Sequence, residues 1–200
     1  MDDALVKHRG RQNFTPDSGE YHSPPNLGTY LLAIPIIDFF GSSLIPVSNP
    51  TLDHFALPEE MKVFLKSFGL PLEGVDGLLI HFYANAEVLV VDIHSQERFL
   101  IIGDDYGTKL GMKENTGEIL SIDPNGKLPT RFVNSSILTL LAFLETYSKE
   151  QPKLAQASDE EASEIVANMK EKLRTLDARS LDDPENWWSL ILEQTEQGLM

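Results

Sequence analysis

The chain contains no cysteine, which excludes disulfide bonds, thiolate nucleophiles and zinc sites built on sulfur. Long apolar runs are missing as well. The best candidate, residues 30–40, is interrupted by Pro35 and Asp38 and is shorter than the roughly 20 residues that a transmembrane helix needs. The first residues lack the apolar centre of a signal peptide. Together these absences predict a cytoplasmic protein.

Positive charge is scarce. The 200 residues include 31 acidic and 16 basic side chains, which gives a formal net charge of −15. Proteins that bind nucleic acids need basic surfaces to neutralise phosphates, so we expect no direct nucleic-acid binding. An acidic surface favours a basic protein partner, although solubility alone would also account for the charge.

Motifs for catalysis and for cofactors are also absent. The five histidines form no His-Glu-x-x-His or other close metal spacing, and the chain has neither a Gly-x-Ser-x-Gly elbow nor a phosphate-binding Gly-x-x-x-x-Gly-Lys loop. We therefore predict a protein that holds no metal and no cofactor and acts by binding a partner, not by catalysis. An enzyme that uses Asp104, Asp105 and a nearby histidine is the alternative.

The length of the chain fits one domain. Residues 1–27 are polar and broken by prolines and glycines, so we predict a flexible N-terminal arm followed by a single domain over residues 28–200. Residues 30–40 and 43–47 are apolar enough for short strands. A helix is predicted over residues 58–68, where a proline at the first position precedes two acids and an apolar stripe.

The middle of the chain is rich in β-forming residues separated by turn sequences. The connections are too short for crossover helices, so the sheet is expected to be an antiparallel meander. Turns are expected at residues 84–86, 94–96 and 115–117. The predicted strands are residues 77–84, 87–93, 98–102, 107–112 and 118–122.

Three helices are predicted at the end of the chain. An apolar stripe at helical spacing marks the first, and a capping box of Ser158 and Glu161 marks the second. Asp183 caps the third, with Pro184 at its first helical position. The expected fold class is therefore α+β, with a central, mainly antiparallel meander sheet flanked by helices.

Two features of the sequence are candidates for partner contact. Asp104, Asp105 and Tyr106 lie between glycines, in what is either a solvated turn or a loop that a rigid sheet presents to a partner. Trp187 and Trp188 point about 100° apart on a helix, so one is expected in the core. The other either packs between elements or anchors a partner. The predicted partner-binding set is Asp104, Asp105, Tyr106 and Trp188.

Four stretches of the chain occur in a characteristic order, before a final helix that carries the two tryptophans. They are LPEE at 57–60 with its exit GLP at 69–71, FLIIGDD at 99–105, NTGEI at 115–119 and FVNSS at 132–136. In this order and spacing the chain resembles the SUKH superfamily, specifically its fourth family, of bacterial immunity proteins. The resemblance covers about residues 52–192, and the first 50 residues show no such likeness.

The resemblance implies a central, mainly antiparallel sheet with flanking helices. It also implies an immunity protein that binds and neutralises a cognate polymorphic toxin, of nuclease or deaminase type. Such a toxin presents a basic surface, which the acidic chain would complement. A regulatory or scaffold protein with the same fold is the alternative, because a fold does not determine a function.

Overall fold

The computed structural model describes residues 27–47, 50–72, 75, 78, 80–83, 90–93, 97–105 and 107–199. The expected N-terminal arm lies outside these residues, apart from Leu27, where the first helix begins. Helices and an antiparallel sheet make up the described chain, so the predicted α+β class is confirmed. None of the helices in the described ranges is both long and apolar enough to cross a membrane.

In the order of the chain, three helices precede the strands of the main sheet and three helices follow them. The helices are α1 (Leu27–Phe40), α2 (Pro50–His54), α3 (Glu59–Ser67), α4 (Ile137–Leu154), α5 (Asp159–Asp177) and α6 (Trp187–Glu196). The strands are β1 (Leu44–Ile45), β2 (Leu70–Pro71), β3 (Ile80–Phe82), β4 (Val90–Ile93), β5 (Glu97–Asp105), β6 (Thr108–Lys113), β7 (Ile119–Ile122) and β8 (Arg131–Asn134). Short 3-10 turns span Gly41–Ser43 and Ala178–Leu181.

Strands β3 to β8 form one antiparallel sheet, and β1 pairs with β2 separately. From β5 to β8 each strand pairs with the next along the chain, which confirms the meander. The hairpin predicted around residues 84–86 is wrong, because β3 and β4 both pair with β5, along the same edge. A turn-rich sequence between two β-rich runs does not distinguish a hairpin from an interrupted edge strand. Residues 84–89 lie outside the described part.

The strand predicted over residues 30–40 is wrong, because these residues form most of α1. A continuous apolar run cannot be assigned to a strand or to a buried helix by its periodicity alone. Helix α1 packs against α4, and Ala33 and Ile36 are buried in the core. Pro35 is exposed, so water can bond the carbonyl group that proline leaves without its helical partner.

The main hydrophobic core lies between the sheet and the helices. Helix α4 is its centre, with eleven buried residues, and the sheet contributes Leu100, Ile102, Leu110 and Met112. Alternate residues of the same strands point to the opposite face. There a smaller apolar cluster is formed by Phe99, Ile101 and Ile122. We call the face of this second cluster the outer face and the face of the main core the inner face.

Hydrogen bonds at two helix starts decide where α5 and α6 begin. Ser158 and Glu161 form the predicted capping box, in which each side chain accepts a bond from the other residue's backbone N–H. The start predicted for α6 is wrong. The Asp183 carboxylate accepts a hydrogen bond from the backbone N–H of Glu185 at 2.9 Å and closes a turn, so the helix begins at Trp187.

Candidate partner-binding surface

Asp104 and Asp105 occupy the last two positions of β5, not a turn. Successive side chains of a strand point to opposite faces. Asp104 therefore lies on the outer face, opposite Lys109, and Asp105 on the inner face, opposite Thr108. The two carboxylates do not converge on one substrate, which removes the arrangement that the enzyme alternative requires. Tyr106 lies outside the described residues.

The Asp105 carboxylate connects the sheet to the last helix. Its Oδ2 accepts a hydrogen bond from Trp187 Nε1 at 2.5 Å, across 82 positions of sequence. Burial raises the pKa of Asp105, and the charge of neighbouring Asp104 raises it further, while the bond from Trp187 lowers it. The side chain thus holds β5 and α6 together, and only part of it is open to a partner.

Trp188 is fully buried, so its prediction as a partner anchor is wrong. Its Nε1 donates to Asn134 Oδ1 at 2.9 Å, and its ring packs against Phe143 and Tyr147. Trp187 is buried as well. Both adjacent tryptophans are covered because α6 is held on two sides, by the end of β5 and by the junction between β8 and α4.

A buried polar network at that junction was missed by the sequence reasoning. Asn134 is fully buried, and its Nδ2 donates to Ser180 Oγ at 3.0 Å. Asp177, which is also buried, accepts bonds from the backbone N–H of Ser135 at 2.6 Å and from its hydroxyl at 2.9 Å. The residues before α4 entered the sequence analysis only as part of the FVNSS stretch. Nothing local in the sequence indicates partners more than 40 positions away.

Asp104 is the member of the predicted set whose side chain stands on the outer face, with 29% of it exposed. Its Oδ2 accepts a hydrogen bond from Tyr83 Oη at 2.5 Å and lies 3.4 Å from Lys109 Nζ. Lys109 Nζ in turn donates to Tyr83 Oη at 2.5 Å. We call Tyr83, Asp104 and Lys109 the outer-face triad.

Further acids lie at the same end of the molecule. The linker before α6 contains Asp182, Asp183 and Glu185, and all three are exposed. Because Trp187 is bonded to Asp105, this linker lies beside the end of β5. We call this group the acidic rim: Asp104, Asp182, Asp183 and Glu185.

Part of the rim charge is neutralised by neighbouring bases. Glu185 Oε2 lies 3.9 Å from Arg131 Nη2, and Asp104 lies near Lys109. The ion pairs between described residues include neither of the other two rim acids. The rim therefore keeps a negative field that is available to a cationic partner. The sequence analysis named Asp183 only as a helix cap and named neither Asp182 nor Glu185, so the surface position of these linker acids was not predicted.

His81 is a described histidine close to the predicted acids. It lies opposite Asp104 in the pairing of β3 with β5, and it is exposed. Within the described ranges, no three histidine, aspartate or glutamate side chains converge as a metal site.

The family model described as SUKH-4 immunity protein matches residues 35–194, about four-fifths of the chain. The match begins within α1, before the first stretch that carried the resemblance. It ends within α6. No curated protein and no solved structure matches the chain significantly.

Proposed function

The chain belongs to the SUKH-4 immunity protein family, and from this membership we propose that it binds a cognate toxin and blocks it by direct contact. The family match over residues 35–194 is the observation that carries the proposal. The function is stoichiometric binding and not turnover. Asp104 and Asp105, the paired acids of the sequence, point to opposite faces of the sheet.

The proposed toxin acts on nucleic acid, as a nuclease or a deaminase. An enzyme of that kind must attract phosphates and therefore presents a basic groove. The net charge of −15 and the acidic rim support this partner, because charge of opposite sign steers association and disfavours wrong partners. The protein would occupy the groove in place of the nucleic acid.

The proposed contact surface centres on the rim end of the sheet. It includes Asp104 and the adjacent Tyr106, and it extends to the exposed linker acids. Asp105 contributes by fixing that linker through Trp187. Trp188 is not part of the surface, because the core encloses it.

The proposal is tested on a candidate toxin domain taken from the product of an adjacent gene. We expect the purified chain to abolish cleavage or deamination of nucleic acid by that domain at a one-to-one molar ratio. Isothermal titration calorimetry is expected to give the same stoichiometry. The binding should weaken as the salt concentration rises, because screening shortens the reach of exposed charges.

An acidic protein of similar size and net charge but a different fold serves as the control for simple charge neutralisation. It should leave the toxin active at the same concentration. A toxin domain that keeps full activity in the presence of excess chain would contradict the proposal. Equal inhibition by the control would show that charge alone accounts for the effect.

A further inference from the structure

The outer-face triad is fixed by the backbone on both sides. Asp104 and Lys109 are directly paired across β5 and β6, and the backbone N–H of Tyr83 donates to the Ile102 carbonyl at 2.9 Å. A β-bulge between Ile101 and Gly103 shifts the register just before Asp104. A side chain at Gly103 would lie 2.4 Å from the carbonyl oxygen of His81, so the strands approach closely here.

Within the triad, both contacts to the carboxylate are made to the same oxygen. Tyr83 and Lys109 both reach Asp104 Oδ2, and no donor among the described residues reaches Oδ1. A carboxylate can accept about four hydrogen bonds, so Oδ1 keeps the capacity to accept from outside. Burial raises the pKa of Tyr83, and the bond to Tyr83 raises the pKa of Lys109. Both donors therefore keep their protons at neutral pH.

The Asp104 carboxylate is held in one orientation before a partner binds. An ordinary surface aspartate loses rotamer freedom when it forms an interfacial bond, and that loss weakens binding. Here the orientation is already set by two donors, and Lys109 also lies 5.2 Å from the centre of the Tyr83 ring. Tyrosine is among the residues enriched at interface hot spots, and here its half-buried ring lies beside an open carboxylate oxygen.

We infer that Asp104 Oδ1 is the fixed acceptor for a cationic side chain of the toxin, and that Tyr83 and Lys109 are positioning residues that orient it. The inference rests on the proposed function and adds the point of contact. A guanidinium or ammonium group fits because charge-assisted bonds to carboxylates are shorter and stronger than neutral ones. The half-exposed ring of Tyr83 offers such a cation a second contact.

The same sheet face supplies a matched control. Glu97 and Lys113 form another cross-strand ion pair of β5 and β6, with Nζ and Oε1 2.6 Å apart. The pair lies about 20 Å from Asp104 along the strand. Asp104→Asn and Glu97→Gln therefore remove the same charge from the same face, one at the rim end and one at the far end.

The test measures the affinity of the same candidate toxin domain for the wild type and four variants, by calorimetry at low salt. We expect Asp104→Asn to weaken binding at least tenfold and Glu97→Gln to change it less than twofold. Tyr83→Phe should weaken binding severalfold in the wild-type background. It should have no further effect in the double variant Tyr83→Phe/Asp104→Asn, because Tyr83 acts through Asp104. Urea unfolding confirms that each variant is folded.

The outcomes separate the inference from the function on which it rests. Failure of the wild type to bind would overturn both. If the wild type binds the toxin domain and the Asp104→Asn and Glu97→Gln variants bind it with equal affinity, the fixed acceptor is overturned and the proposed function stands. An effect of Tyr83→Phe that persists undiminished in the double variant would overturn the positioning role of Tyr83.

Discussion

Asp105 lies at the end of β5 with its carboxylate turned to the inner face, where burial raises its pKa and the bond from Trp187 Nε1 opposes the shift. Two effects of opposite sign thus act on one group. Loss of water around the charge disfavours ionisation, and a donor placed against the ionised oxygen favours it. Burial is the larger effect, so the folded chain holds the Asp105 proton more tightly than the unfolded chain does.

This balance predicts how Asp105→Asn changes the response of stability to pH. The raised pKa means that the folded state binds more protons between the unfolded and the folded pKa, so stability from Asp105 falls as pH rises through that window. Asparagine does not titrate. The stability of the wild type relative to Asp105→Asn should therefore decline from about pH 4, near the ordinary value for aspartate, and level off above the folded pKa. Urea unfolding followed by tryptophan fluorescence measures this difference, and a difference that grows with pH would contradict the assignment.

Asn134 links three elements. It is the last residue of β8, and its hydrogen-bond partners lie at or just after the end of α5 and in α6. Its Oδ1 accepts from Trp188 Nε1, and its Nδ2 donates to Ser180 Oγ and lies 3.4 Å from Asp177 Oδ2. All four side chains are buried. A buried polar group that loses its partner incurs the full cost of desolvation, so the network makes the packing of these elements depend on one amide.

Asn134→Ala is predicted to destabilise the fold by about 2–4 kcal/mol. It leaves the Trp188 indole N–H without its acceptor and Ser180 Oγ without its donor in the core. Urea unfolding measures the change. Asn168→Ala is the control, since Asn168 is exposed on α5 and alanine is a better helix former; we expect it to be neutral or slightly stabilising. A loss below about 0.5 kcal/mol for Asn134→Ala, typical of surface substitutions, would show that the network is not structural.

Local chemistry was enough to predict the elements that carry their own start and stop signals. Helix α3, with acids in its first turn and Gly69 at φ +87° after its end, was predicted within one residue at each boundary. The capping box of α5 was likewise confirmed. Helix α1 has no such signals: it is apolar on all sides, and only its packing against α4 makes it a helix.

The candidate site was predicted only in part, because most of its geometry depends on contacts between distant strands and helices. The acids of β5 were recognised in the sequence. However, a step of one residue along a strand reverses the face, so Asp104 and Asp105 point to opposite faces of the sheet. The bond of Tyr83 to Asp104 spans 21 positions, and that of Trp187 to Asp105 spans 82. The sequence also identified the tryptophan pair, but the burial of both rings depends on which elements pack against α6.

At the scale of the whole molecule, the excess of negative charge is concentrated toward the end of the chain. Residues 159–199 contain eleven acids and four bases, and exposed acids of this segment lie near each end of α6. The rim linker precedes the first residue of α6, while a groove at its far end is lined by Asp159 of α5 together with Glu196. A field of this extent acts on a partner before contact, so it influences the association rate more than the lifetime of the complex.

Reversing charge at the two ends of α6 distinguishes a directed field from simple net charge. We predict that Asp182→Lys/Asp183→Lys slows association with the toxin domain by about tenfold at low salt, with little change in dissociation. The difference should shrink as salt screens the exposed charges. Glu160→Lys/Glu164→Lys changes the net charge equally, but its sites lie near the start of α5, about 15 Å away along α6. Stopped-flow fluorescence at several salt concentrations gives both rates. If the two double variants slow association equally, net charge alone steers the partner; if only the rim variant does, the toxin approaches the end of the sheet that holds Asp104.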